Sequence, residues 1–156
     1  MRKFLTIVAL AAMALFCCQC ATSSQLRLAQ KGARDIPFQT LSNYYVRNDV
    51  DGSKLHRLII DNEADFHAFF GEGAVMGGQP TDINWKRQYV IAVLLPETNR
   101  PTMVTPMEVQ QSPGNIIFKY QVNRGHKTSY SLVPFTAIAL DRSTDPQQLQ
   151  VFFIEK

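Results

Sequence analysis

Tyr89 to Leu95 constrains this chain more than any other stretch: seven consecutive residues drawn from Tyr, Val, Ile, Ala and Leu, without a charge, closed by Pro96. A strand with one wet face alternates apolar and polar residues, whereas an unbroken apolar run of this length suits a strand covered on both faces. The chain must therefore supply a sheet with a layer on either side of it.

The flanking sequence supplies the rest of a β-rich domain. Ser42–Arg47 and Lys54–Ile60 are β-prone runs around Asn48-Asp49-Val50-Asp51-Gly52, and the Asp-Gly pair predicts a hairpin between them. Asp61-Asn62-Glu63-Ala64-Asp65 ahead of Phe66, Phe69 and Phe70 reads as a capped, acid-started helix that ends at Gly71, its apolar residues spaced to lie on a sheet. The stretch from Gly71 through Pro80 is a long connection. Its glycine pairs lack the Lys-Ser/Thr and following helix that a phosphate loop requires.

Thr102–Gln110 is a strand interrupted by Pro106, which implies an edge or a bulge. Ser112-Pro113-Gly114-Asn115 meets the demand of a type II turn and should pair Met107–Gln110 with Ile116–Val122. Thr128–Leu140, interrupted at Pro134, and Gln148–Ile154 complete the set. About seven short strands and one helix predict a mainly β domain, a small antiparallel barrel or sandwich, with the helix plugging an open end or packing on one face.

The first twenty residues have a different character. Arg2 and Lys3 precede an uncharged run from Phe4 to Phe16, the pattern of an export signal and too short for a bilayer-spanning helix, which takes about twenty apolar residues. All three cysteines, Cys17, Cys18 and Cys20, sit at the exit of this run, so they form no disulfide framework for the domain. Leu15-Phe16-Cys17-Cys18 resembles a bacterial lipobox, which places the lipid on Cys18. Cys17 and Cys20 are the alternatives, although each would set a bulkier residue before the cut. Ordinary secretion without a lipid is the plainer alternative. Residues 21–36, polar and mixed, read as a flexible tether, and residues 37–156 as a single domain. No run of acids follows the cysteines between Gln19 and Ser24, which favours an outer-membrane anchor facing the periplasm.

Cutting off the signal removes Arg2 and Lys3, so the 16 basic residues fall to 14 against 13 acidic ones and the net charge of +3 falls to about +1. The remaining cations are scattered singly, which argues against nucleic-acid binding. His56, His67 and His126 stand eleven and fifty-nine residues apart, a spacing unlike HExxH or HxH, so no metal or other cofactor is expected. No cysteine lies beyond the signal, and Asp61, Glu63 and Asp65 are accounted for by helix capping and Asp141 and Asp145 by turns. No catalytic residue and no enzymatic activity is expected.

Two loops bracket the apolar strands with mixed polar residues, and they are the candidate partner-binding loops: Asn99, Arg100 and Thr102 in the first, Arg124, Gly125 and His126 in the second. Both also suit plain solvated turns. Gly125 would allow close backbone approach, or serve as a hairpin glycine with positive φ. A competing expectation is a small-ligand or lipid-binding barrel lined by aromatics such as Tyr44, Tyr45, Trp85 and Phe118, although such side chains equally fill a core.

The order Leu58-Ile59-Ile60, the helix with Phe66, Pro80-Thr81-Asp82-Ile83-Asn84-Trp85, Tyr89-Val90-Ile91-Ala92-Val93 and Tyr130-Ser131-Leu132-Val133-Pro134-Phe135 resembles the C-terminal domain of protease-complex stabilising lipoproteins of the PrcB type. The resemblance covers about Leu55 to Ile154 and rests mainly on core patterns. Where that family has a Thr-Gly-Gly-Tyr loop, this chain reads Asn99-Arg100-Pro101-Thr102. The staphostatins, small inhibitors of secreted cysteine proteases, are more weakly similar in size and strand content. The resemblance implies a membrane-anchored, non-enzymatic partner of a secreted protease, either a stabiliser or an inhibitor.

Overall fold

The computed structural model describes residues 23–73, 78–143 and 146–156, apart from the side chain of Gln147. The export-signal run, the lipobox with Cys17, Cys18 and Cys20, part of the glycine-rich connection and Asp145 lie outside these residues. Along the chain the elements are α1 (Ser23–Gln30), β1 (Arg34–Asp35), β2 (Gln39–Thr40), β3 (Tyr44–Val46), β4 (His56–Ile60), α2 (Glu63–Phe69), β5 (Phe70–Glu72), β6 (Gln88–Leu94), β7 (Thr102–Ser112), β8 (Asn115–Arg124), β9 (Phe135–Asp141), a 3-10 turn (Pro146–Gln148) and β10 (Gln150–Glu155).

The strands build one four-stranded sheet in the order β1-β7-β8-β10, a second in the order β2-β9-β6-β4, and a two-stranded ribbon, β3-β5. The sheets form a sandwich, not a closed barrel. β6 explains why. Its Tyr89, Ile91 and Val93 meet Val104, Val109, Ile116, Phe118 and Tyr120 of the facing sheet, while Val90, Ala92 and Leu94 point the other way, onto Phe66 of α2 and Phe70 of β5. Every residue from Tyr89 to Leu95 is buried, so the lack of a polar face in the sequence reflects two apolar layers against one strand. Burial also pushes the Tyr89 hydroxyl up to about 12.

The β7–β8 hairpin has the expected register, with Ser112 opposite Asn115 and Gly114 at φ 75° in the tight turn. Its predicted irregularity is a bulge between Pro106 and Glu108. Helix α2 is capped by Asn62, whose Oδ1 accepts from the Asp65 amide at 2.9 Å. It ends with Phe70 as its C-cap, and Gly71 lies in the strand that follows.

Several expectations are corrected. The first hairpin does not form: β3 pairs with β5 and β4 with β6. Leu58 and Ile60 lie opposite Ala92 and Val90 of the central strand, and Asp51 uses its carboxylate to hold the Ser53 amide (3.0 Å) and hydroxyl (2.6 Å) in a local turn. The residues read as a tether contain α1 and β1. Leu26, Ala29 and Ala33 cover Ile117, Phe152 and Ile154 on the outer face of the first sheet, so three small or medium apolar side chains suffice to dock the segment. The sheets are not wholly antiparallel, since β10 runs parallel to β8, which the long excursion of the chain through β9 in the other sheet permits.

One side of the sandwich is crossed by the chain itself. β1 and β2 belong to different sheets, and Ile36 and Phe38 between and beside them pack into the shared core. On the opposite side lie the edge strands β4 and β10, where the Arg57 guanidinium sits 5.9 Å above the Phe153 ring.

Candidate functional site: a loop ledge and an adjoining cleft

β6 ends and β7 begins at the same end of the sandwich where β8 ends and β9 begins, so the two candidate loops are neighbours. The register brings Thr102 opposite Arg124. Main-chain hydrogen bonds then join the loops: the Gly125 amide donates to the Pro101 carbonyl at 2.7 Å, and the Thr128 amide and hydroxyl both donate to the Asn99 carbonyl at 2.7 and 2.9 Å. Further along, Thr98 and Leu132 exchange two bonds of 2.9 and 3.0 Å. Thr102 Oγ1 donates to the Arg100 carbonyl at 2.8 Å. Residues 96–102 and 123–132 therefore form one ledge.

The ledge presents Arg100, Arg124, His126 and Lys127, all exposed, beside Met103 (68 % exposed) and Tyr130 (57 % exposed). Arg124 is shared with Glu155 at 3.7 Å, while Arg100 and Lys127 form no ion pair among the described residues. Sequence reasoning selected Asn99, Arg100, Thr102, Arg124, Gly125 and His126. Pro101 and Thr128 lie inside the same two loops, Asn99–Thr102 and Arg124–Ser129, but their part in joining them depends on a contact about 25 residues away in sequence.

Gly125 owes its place to close approach. Its φ is not in the left-handed region, and a Cβ there would stand 3.1 Å from the Pro101 carbonyl oxygen. Gly125→Val is therefore expected to break the Gly125–Pro101 bond and cost about 1 kcal/mol of stability. Hydrogen exchange at the Thr128 amide should quicken in this variant; unchanged protection would show that the ledge tolerates the side chain.

The three histidines are occupied locally or exposed: His56 Nε2 lies 2.7 Å from the Asp51 carbonyl, His67 Nε2 lies 3.7 Å from Glu63, and His126 is on the ledge. Among the described residues no three His, Cys, Asp or Glu side chains are grouped as metal ligands. The aromatics considered for a ligand cavity are dispersed. Phe118 lies in the core between the sheets, Tyr44 and Trp85 pack around Phe66, and Tyr45 is half exposed.

Beside the ledge an open cleft of about 470 Å³ runs between β3 and residues 131–135, with Tyr44, Val46, Val50, Ser131, Val133 and Phe135 among its lining. Burial, aided by the negative charges of Glu72 and Asp82, raises the Tyr44 hydroxyl above its ordinary value, and this hydroxyl donates to the Thr81 carbonyl at 2.8 Å.

Compared with known proteins, the chain matches no family model, no curated protein and no solved structure.

Proposed function

We propose that this protein is a lipid-anchored lipoprotein of the bacterial envelope whose domain works by surface contact, as a non-enzymatic inhibitor or stabiliser of a secreted protease. The ledge carries this reading: two loops distant in sequence are joined main chain to main chain, so exposed cations and an exposed tyrosine are offered to a partner with little ordering left to occur on binding. The choice of a protease as partner rests on the resemblance to the PrcB-type domains. The lipobox-like residues support the anchor. With lipid on Cys18, five residues reach Ser23, at most about 18 Å of extended chain, before α1 is held on the domain. Such a short leash would keep the domain close to the membrane surface.

Two experiments test this. Purified mature domain mixed with protease-rich culture supernatant from the source should yield a stable complex and an altered cleavage rate. Both effects should be lost when Arg100 and Lys127 are changed together to Glu. No complex and unchanged cleavage would remove the protease reading. Metabolic labelling with fatty acid should mark the full chain and disappear when Cys17, Cys18 and Cys20 are all changed to Ser; label retained in that variant would remove the lipid anchor.

A further inference from the structure

The cleft beside β3 lies where two strands part company. Residues 39–41 ladder onto β9, with Gln39 opposite Ala139, Thr40 opposite Ile138 and the Leu41 amide donating to the Ala137 carbonyl at 2.9 Å. Continued in the same register, the chain would place residues 43 and 45 opposite Phe135 and Val133. Asn43 prevents this. Its φ of 61° is in the left-handed region, which asparagine tolerates better than most residues, and beyond it the chain turns away to pair with β5.

The departure leaves two strand edges facing one cleft. On β3, the Gly73 amide donates to the Asn43 carbonyl and the Arg47 amide to the Phe69 carbonyl, so the odd-numbered residues spend their main-chain groups on β5. By the alternation of an antiparallel ladder, those of Tyr44 and Val46 point away from β5. On the other wall, Leu132 exchanges bonds with Thr98, and the Pro134 carbonyl accepts from the Leu95 amide. The main-chain groups of Ser131, Val133 and Phe135 therefore point away from β6, and none has a partner among the described residues.

We infer that this cleft is a docking groove for an extended peptide segment of a partner protein, which adds as a strand between β3 and residues 131–135. Only a main chain carries donors and acceptors alternating along both of its sides, and that is what two open strand edges require. From Ser131 to Phe135 the wall measures about 13 Å at roughly 3.3 Å per residue, room for about four residues. Val50, Val133 and Phe135 give the groove apolar contacts and Arg47 and Glu97 charged ones, so it suits a segment of mixed polarity. The groove is separate from the ledge's outward cations and does not depend on the partner being a protease.

The purified mature chain is panned with a phage-displayed library of random eight-residue peptides, and an enriched peptide is synthesised with single N-methyl groups along its centre. Each central N-methylation is expected to weaken binding about ten-fold, the effect of losing one main-chain hydrogen bond. Binding should slow exchange of the Tyr44, Val46, Ser131, Val133 and Phe135 amides. Ser131→Pro, which removes an exposed donor that bonds nothing described, should weaken the same peptide while leaving thermal unfolding unchanged. The inference is overturned by failure to enrich any peptide, by indifference to N-methylation, or by protection confined to Asn99, Arg100 and Gly125. Protection of the groove that rises with protein concentration in the absence of peptide would also overturn it, by assigning the edges to a second copy of this chain.

Discussion

Phe66→Ala is expected to lower the free energy of unfolding by about 3–5 kcal/mol, because a large ring would be lost from a site that cannot collapse around the vacancy. Phe66 is 1 % exposed, and its ring is met by Tyr44 at 5.0 Å, Phe70 at 4.8 Å and Trp85 at 5.5 Å between centroids. These neighbours come from β3, β5 and the segment before β6, so one side chain holds the ribbon and α2 onto the second sheet. Guanidinium unfolding followed through Trp85, the single tryptophan, reads this corner directly. Phe66→Leu should lose appreciably less. A loss below about 1 kcal/mol for Phe66→Ala would mean that α2 is not packed as described.

Arg142→Met is expected to cost about 2–3 kcal/mol, less than for a fully enclosed pair because both side chains keep some contact with water. The Arg142 guanidinium donates to the carbonyls of Asp61 and Gln88, each at 3.1 Å, and its Nη2 lies 2.5 Å from Asp61 Oδ1. That oxygen is enclosed, and the geometry of its contact is that of an ion pair, not an aligned hydrogen bond. The guanidinium thus fastens the end of β9 to the start of β6 and to the junction between β4 and α2. Methionine keeps much of the volume but strands the carboxylate. Adding Asp61→Asn to Arg142→Met should therefore recover part of the loss; a double variant no more stable than the single one would assign the cost to the carbonyl bonds alone.

The elements legible in the sequence are those fixed by short-range chemistry. Tyr89–Leu95 could be read because a strand with two apolar neighbours shows no polar face, the β7–β8 turn because Gly114 must adopt positive φ, and α2 because Asn62 caps it. What stayed hidden depends on contacts between distant residues. The tyrosine run and Lys54–Ile60 are both β-prone, but nothing local says that one goes to β5 and the other to β6. Parallel pairing of β10 with β8 leaves no trace in either strand, and α1 docks through side chains too small to stand out in a polar stretch. The six ledge residues were recognisable as exposed loop residues, but their union through Pro101 and Thr128 was not. Asn43, inside the β-prone run Ser42–Arg47, marks the cleft only once the ladders on either side of it are known.

The passage of the chain from β1 to β2 binds the two sheets along one side like the spine of a book, while the opposite covers meet where Arg57 lies over Phe153. Breathing of the sandwich is therefore expected to be lopsided: parting of β4 from β10 would expose Phe153, whereas Ile36 and Phe38, partly buried themselves, are carried by the segment that ties the two sheets together.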